Sequence, residues 1–270
     1  GFATGIKIAN PDLDVWMVTG DGDGLSIGGN HLMHLLRRNV GIKVMLFNNE
    51  IYGLTKGQYS PTSETGKKTP STPYGSIDEP VNPAAFAMGA KAGFVARAID
   101  VDKELPTVLE RAAKFEGMTF VEIYQDCNVF NHNAFGFATG KDGSEKEDNL
   151  LRLEHGKPMI FGKEKDKGIR LTGDYKPEVV SLSDVAIDDL LTHDETDASL
   201  AYLLAQMRHP EFPCPVGVLH AKPRPLYENE LVAQLKLAKE RRGEGTLESL
   251  LYGGDVYEVN EPAGPSGLHA

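Results

Sequence analysis

The feature that most restricts the fold of this chain is a switching of hydrophobic period between residues 15 and 124, where short apolar runs take turns with segments of helical spacing. Residues 15–19, 42–47, 94–99 and 119–124 read as buried strands, and residues 29–38, 83–92 and 103–115 as the helices between them. In the first of these helices Leu32, Leu35 and Leu36 share a face, Arg37 and Arg38 suit the last turn, and Gly41 suits the exit. Strands that alternate with helices need crossover connections, so the expected fold class is α/β: a doubly wound, mostly parallel sheet with a C-terminal extension.

Two polar runs sit at the ends of those strands. Gly20-Asp21-Gly22-Asp23-Gly24 reads as a glycine-rich turn after the first strand, and Asn48-Asn49-Glu50-Ile51-Tyr52-Gly53 follows the second. Asp21 and Asn49 lie 28 positions apart. In a right-handed strand-helix-strand unit both fall just beyond the carboxyl ends of parallel strands, the edge where open α/β sheets bind ligands. Mg²⁺ takes about six oxygen ligands, commonly one or two protein oxygens plus phosphates. Asp21 offers a carboxylate, Asn49 an amide oxygen, and the backbone carbonyl of Ile51 is a candidate third. Glycines beside Asp21 let the backbone approach a diphosphate, and the N–H groups opening the next helix favour its charge.

Other readings of the glycine run fit less well. A dinucleotide fingerprint lacks its third glycine, an EF-hand loop begun at Asp21 meets Leu25 and Leu32 where oxygens are needed, and no Walker A pattern occurs. A Gly/Asp turn with no ligand is the plain alternative, and the Asn-Asn pair at strand-end spacing weighs against it.

The rest of the chain is organised around this core, expected over residues 1–130. Residues 1–10 read as the interior of a helix ending at Asn10-Pro11, without an initiating Met, so an earlier start is expected. Residues 54–80, rich in Gly, Ser, Thr and Pro, read as an active-site loop. Residues 131–242 form the extension, with a hairpin of 158–162 and 168–172, helices over 197–208 and 228–242, and an extended stretch at 212–221. Residues 243–270 read as an acidic, glycine-rich tail whose Leu247, Leu250, Leu251, Val256 and Tyr257 give it something apolar to dock, with disorder expected over 260–270.

Charge and composition narrow the function classes. Lys and Arg number 28 against 39 Asp and Glu, a net charge of −11, which disfavours nucleic acid and anionic membranes as partners. No apolar run reaches the roughly 18 residues of a membrane span and no signal-peptide pattern opens the chain, so a cytoplasmic location is expected. Only two cysteines occur, Cys127 and Cys214, too few for a disulfide framework. By composition alone Cys127 is an inert thiol, and Cys214, between two prolines, reads as structural. The eight histidines show no metal-ligand spacing.

The pair GDG and NN resembles the thiamine-diphosphate motif of many enzymes. The fuller runs GDGDGLSIGGNHLMHLLRRNV and NNEIYGLTKGQYSPTS resemble the β subunits of 2-oxoacid:ferredoxin oxidoreductases, especially 2-oxoglutarate-type ones, over residues 1–135 and more loosely through PVGVLHAKPRPLYE. The resemblance implies Asp21, Asn49 and the Ile51 carbonyl as Mg²⁺ ligands, with Gly22 and Asp23 meeting the diphosphate through backbone. It places Gly53, Leu54 and Thr55 beside the cofactor. Leu54 and Lys56 then stand at the reacting end, where the Lys56 cation would attract a 2-oxoacid carboxylate; a solvated loop lysine is the alternative. Gln58, Ser60 and Thr62 are further candidates for lining the site.

By the same resemblance Cys127, in YQDCNVFN, is one ligand of a [4Fe–4S] cluster whose other three cysteines lie upstream of Gly1. The implied reaction is oxidative decarboxylation of a 2-oxoacid, with coenzyme A taking the acyl group and ferredoxin the electrons. No glutamate for activating the aminopyrimidine can be assigned here, so an α subunit completing the thiamine site, in an (αβ)₂ assembly, is expected. The competing readings are a non-redox thiamine-diphosphate decarboxylase or carboligase, which has no use for Cys127, and a non-catalytic flavodoxin-like interaction subunit.

Overall fold

The computed structural model describes residues 1–259. It comprises a first compact unit, Gly1–Asn229, and a second that begins at Glu230. In the first unit α1 (Phe2–Ala9) leads to β1 (Val15–Gly20), then α2 (Gly29–Arg38), β2 (Ile42–Asn48), α3 (Pro83–Gly89), β3 (Phe94–Ile99), α4 (Leu105–Lys114) and β4 (Thr119–Tyr124). The short helices α5 (Gly136–Thr139) and α6 (Lys146–Asn149) precede β5 (Leu150–Arg152), β6 (Ile160–Phe161), β7 (Lys167–Leu171) and β8 (Pro177–Ser181). After these come α7 (Ala198–Gln206), β9 (Cys214–Ala221) and the start of α8 (Tyr227–Arg242).

The main sheet has six strands in the order β1-β2-β4-β3-β9-β5. The first four are parallel, β9 runs antiparallel to β3, and β5 is parallel to β9. The two strands beyond β3 therefore come from residues after 130, within the same compact unit. Successive side chains of a strand face opposite ways, which divides the core in two. Val44, Leu46, Val95 and Phe120 meet α2, α3 and α7 on one face, and Ala96, Ala98, Val121 and Ile123 meet α4 on the other. Helices on both faces make the sheet doubly wound, with the mostly parallel arrangement expected.

Local departures from expectation have identifiable causes. The glycine run is no simple turn: Asp21 and Gly22 already have helical backbone, and Asp23–Ile27 form a π-helical turn that feeds into α2. Its wide ring is closed by the Gly28 N–H donating to the Asp23 carbonyl at 2.7 Å. A Cβ on Gly28 would stand 2.8 Å from that same oxygen, so this approach requires glycine. The exit from α2 is made by Asn39, not Gly41. Asn39 adopts φ 57°, ψ 46°, and its buried amide repays that conformation by donating to the carbonyls of Arg224 and Pro225 and accepting from the Met118 N–H. The hairpin expected over 158–172 gains a third strand, β8, which opens on a proline and leaves Val179 and Ser181 exposed, features that weaken its strand signal.

In the second unit the remainder of α8 and a short α9 (Leu247–Leu251), capped by Thr246, are formed. Leu247, Leu250, Leu251, Val256 and Tyr257 are exposed. The expectation for residues 260–270 lies outside the described residues. Among the described residues no helix is long and apolar enough to cross a membrane.

Two buried histidines make the fold sensitive to acid. His193 Nε2 lies 2.8 Å from the Val218 carbonyl oxygen and so carries the proton, while Nδ1 is buried without a partner. Burial holds the imidazoles of His193 and His220 below their usual 6.5. The folded protein keeps both neutral, so on acidification the unfolded chain takes up protons first. Their contribution is complete above about pH 6.5 and is lost as pH falls below it. The melting temperature is expected to drop between pH 7.5 and 5.5, with a shallower slope for His193→Gln; equal slopes would assign the acid sensitivity elsewhere.

Candidate functional site

The parallel register pairs Gly20 with Phe47, so Asp21 and the Asn48-Asn49 turn leave the sheet side by side at its carboxyl edge. Asp21 is only 2% exposed. The Thr62 hydroxyl donates to its Oδ2 at 2.6 Å, and the Ser60 hydroxyl and the Asn49 N–H support the same carboxylate. Burial nevertheless pushes the Asp21 carboxyl above its ordinary 3.8, and among the described residues no cationic side chain is paired with it.

The amide oxygen of Asn49 is buried and has no hydrogen-bond partner among the described residues. The Asn49 carbonyl accepts from the Asn131 amide at 2.9 Å and the Glu50 carbonyl from the Ser63 hydroxyl at 2.6 Å. Nothing among the described residues donates to the Ile51 carbonyl. An uncompensated carboxylate, an orphaned amide oxygen and a free carbonyl form an all-oxygen set, the donor type a hard cation such as Mg²⁺ requires. The residues present therefore fit a Mg²⁺-diphosphate group. Glu50, in left-handed backbone at φ 54°, is part of this turn. Burial, then Glu64 and Asp21, push its carboxyl up to about 8.

Gly22 does more here than approach a ligand. The Tyr52 hydroxyl donates to its carbonyl at 2.9 Å, and a Cβ on Gly22 would lie 2.2 Å from the Tyr52 ring. The glycine thereby lets the ring lock the two turns together. Asp23 is exposed in the first turn of the π-helical segment. Residues 52–58 form a closed loop, with Tyr52 N–H donating to the Gln58 carbonyl at 2.9 Å. Leu54, Thr55 and Lys56 stand exposed at its tip, and the Leu54 side chain is wholly bare. Within this chain the loop tip is not brought into the buried oxygen cluster.

Cys127 is half-buried and free. A Cβ on Gly53 would lie 3.9 Å from its Sγ, which places the thiol against the cofactor-side loop. Asn131 joins the two regions: its N–H donates to the Cys127 carbonyl at 3.1 Å and its amide to the Asn49 carbonyl at 2.9 Å. Cys214 is buried elsewhere, its Sγ 3.8 Å from the Tyr124 hydroxyl, and burial pushes its thiol up. One thiol cannot hold a [4Fe–4S] cluster, and among the described residues no group of three His, Cys, Asp or Glu side chains is placed to bind a metal. These residues by themselves do not fit a cluster.

Of the residues brought together here, Thr62 stood among the further lining candidates, whereas Asn48, Glu122 and Asn131 were not candidates. Asn48 was visible as the first member of the Asn pair, but Glu122 stood inside an apolar strand pattern where a lone carboxylate carries no signal about its partner.

The fold and this site define a thiamine-diphosphate-binding domain, and residues 1–123 match the family model described as "Thiamine pyrophosphate enzyme, C-terminal TPP binding domain". The chain is 46% identical over 265 residues to "2-oxoglutarate oxidoreductase subunit KorB" of Mycobacterium tuberculosis, covering 96% of this chain and 70% of that protein. It is 37% identical over 186 residues to "2-oxoglutarate synthase subunit KorB" of Methanocaldococcus jannaschii, covering 66% and 68% respectively. A solved structure, "2-oxoglutarate:ferredoxin oxidoreductase from Magnetococcus marinus with 2-oxoglutarate, coenzyme A and succinyl-CoA bound", superposes with a TM-score of 0.67 at 30% identity, over 93% of this chain and 71% of that one. The chain belongs to the β-subunit family of 2-oxoacid:ferredoxin oxidoreductases, 2-oxoglutarate type.

Proposed function

We propose that this chain anchors the diphosphate of thiamine diphosphate through Mg²⁺ held by Asp21, Asn49 and the Ile51 carbonyl, in an enzyme that converts 2-oxoglutarate and coenzyme A to succinyl-CoA and CO₂ while reducing ferredoxin. The observation that carries this reading is the buried, uncompensated Asp21 carboxylate beside the partnerless Asn49 oxygen. When bound, the cofactor supplies the carbon nucleophile that decarboxylation of a 2-oxoacid needs.

The chain's own residues bind and orient. Asp21, Asn49 and Ile51 fix the anionic end, Gly22 and Asp23 offer backbone N–H groups to the diphosphate, and the Tyr52–Gly22 contact holds the two ligand turns in register. The loop carrying Gly53, Leu54, Thr55 and Lys56 projects from this site, and its bare Leu54 suits a surface that an α subunit covers. Closure by that partner in an (αβ)₂ assembly would exclude water and bring the Lys56 cation to the substrate carboxylate. Cys127 would give one ligand to a [4Fe–4S] cluster completed by cysteines outside this chain's two. The cytoplasm suits such an enzyme.

The test is reduction of ferredoxin by the assembled enzyme with coenzyme A and either 2-oxoglutarate or pyruvate. A kcat/KM at least about tenfold higher for 2-oxoglutarate is expected, about the net worth of one added hydrogen bond to its second carboxylate. Equal use of pyruvate would remove the substrate assignment, and activity without coenzyme A or an electron acceptor would favour the non-redox decarboxylase.

A further inference from the structure

Thr62 is buried, and its Oγ1 lies 2.6 Å from Asp21 Oδ2, 3.0 Å from Asn48 Oδ1 and 3.2 Å from Ser60 Oγ. A threonine hydroxyl has a single proton to give. Which acceptor receives it is decided deeper in the sheet. Asn48 Nδ2 donates to Glu122 Oε1 at 2.9 Å, and Glu122 Oε2 accepts from Arg97 Nε at 2.9 Å, with all three side chains buried. Because an ionised carboxylate only accepts, Glu122 must face the nitrogen of the Asn48 amide, which turns the amide oxygen toward Thr62. That oxygen already has the Glu50 N–H at 3.3 Å. The shorter contact and the charged acceptor both direct the Thr62 proton to Asp21.

We propose that Thr62 is a positioning residue of the metal site: its hydroxyl ties down Oδ2 of Asp21 so that the other carboxylate oxygen faces the ion, and the buried Asn48–Glu122–Arg97 chain fixes the environment in which Thr62 does so. The inference rests on Asp21 being a Mg²⁺ ligand. Thr62 itself is held by its own loop, where Ser60 N–H donates to Ser63 Oγ at 2.8 Å and Ser63 Oγ to the Glu50 carbonyl at 2.6 Å. The loop of residues 54–80 thus reaches across to the ligand turns from 41 positions beyond Asp21.

The test titrates MgCl₂ into the assembled enzyme at fixed thiamine diphosphate and follows cofactor binding by calorimetry. Thr62→Val is expected to raise the half-saturating Mg²⁺ concentration about tenfold, the size of one lost charge-assisted hydrogen bond. Its cofactor-free melting temperature should fall by only a few degrees, since the Ser60 hydroxyl and the Asn49 backbone still support the Asp21 carboxylate. Thr62→Ala, which removes the hydroxyl without an apolar branch in its place, should shift the same way, and Thr62→Ser should return the titration to within about twofold. Wild-type Mg²⁺ dependence in both hydroxyl-free variants, or failure of serine to restore it, overturns the positioning role. Asp21→Asn, run alongside, separates the two ideas: if it too titrates like wild type, the metal-ligand reading fails, and if it alone loses binding, only the role of Thr62 does.

Discussion

Asp21→Ala is expected to weaken Mg²⁺-dependent thiamine-diphosphate binding by at least about a hundredfold, a loss of about 2.7 kcal/mol, while leaving the fold intact. The two halves of that expectation have separate causes. Binding falls because Asp21 is the one formal negative charge in the oxygen set; Asn49 and Ile51 offer only dipoles. Folding survives because the carboxylate is a burden in the absence of a cation: burial already pushes its carboxyl upward, so deleting it relieves a desolvation cost. Nor does the deletion strand Thr62, whose hydroxyl can turn to Asn48 Oδ1 at 3.0 Å. Asn49→Ala should act in the same direction and more weakly, about tenfold, since it removes a neutral ligand whose oxygen has no internal partner to lose. Calorimetry on the assembled enzyme decides it, and unchanged affinity in both variants would dissolve the proposed site.

Cys127→Ala in the full enzyme is expected to abolish ferredoxin reduction and lower the iron content, yet spare thiamine-diphosphate binding. The thiol lies against Gly53, on the loop that follows the Asn49 turn. The substitution removes one sulfur atom from a half-buried site, and the turn keeps its own fastening, since Asn131 bonds the backbone of Cys127 and the carbonyl of Asn49. Loss of iron with preserved cofactor affinity would separate the oxidoreductase from the non-redox alternative. Normal iron content and normal turnover would return Cys127 to the role of a packed thiol.

Much of this protein was readable from residue pattern because the relevant physics is local. The strands at Phe94–Ile99 and Thr119–Tyr124 coincide with their expected bounds, since each is buried throughout or up to its last residue and has a glycine just before it or two residues back. Once parallel strands were accepted, chain geometry alone sent Asp21 and Asn49 to one edge. The order of neighbours was not readable: that β9 turns antiparallel beside β3 and carries β5 with it depends on which surface the extension buries.

The same limit divides the site. The GDG and NN turns, and the oxygen chemistry they offer, are written in short stretches of sequence. The π-helical turn after Gly22 and the left-handed Asn39 depend on bonds made only after the chain has packed. Thr62 meeting Asp21, Asn131 meeting Asn49, and Glu122 meeting Arg97 and Asn48 are pairings of single polar residues across tens of positions. A polar side chain in sequence shows what it can donate or accept, and only the buried surroundings, where an unpaired group is costly, decide which partner it must find.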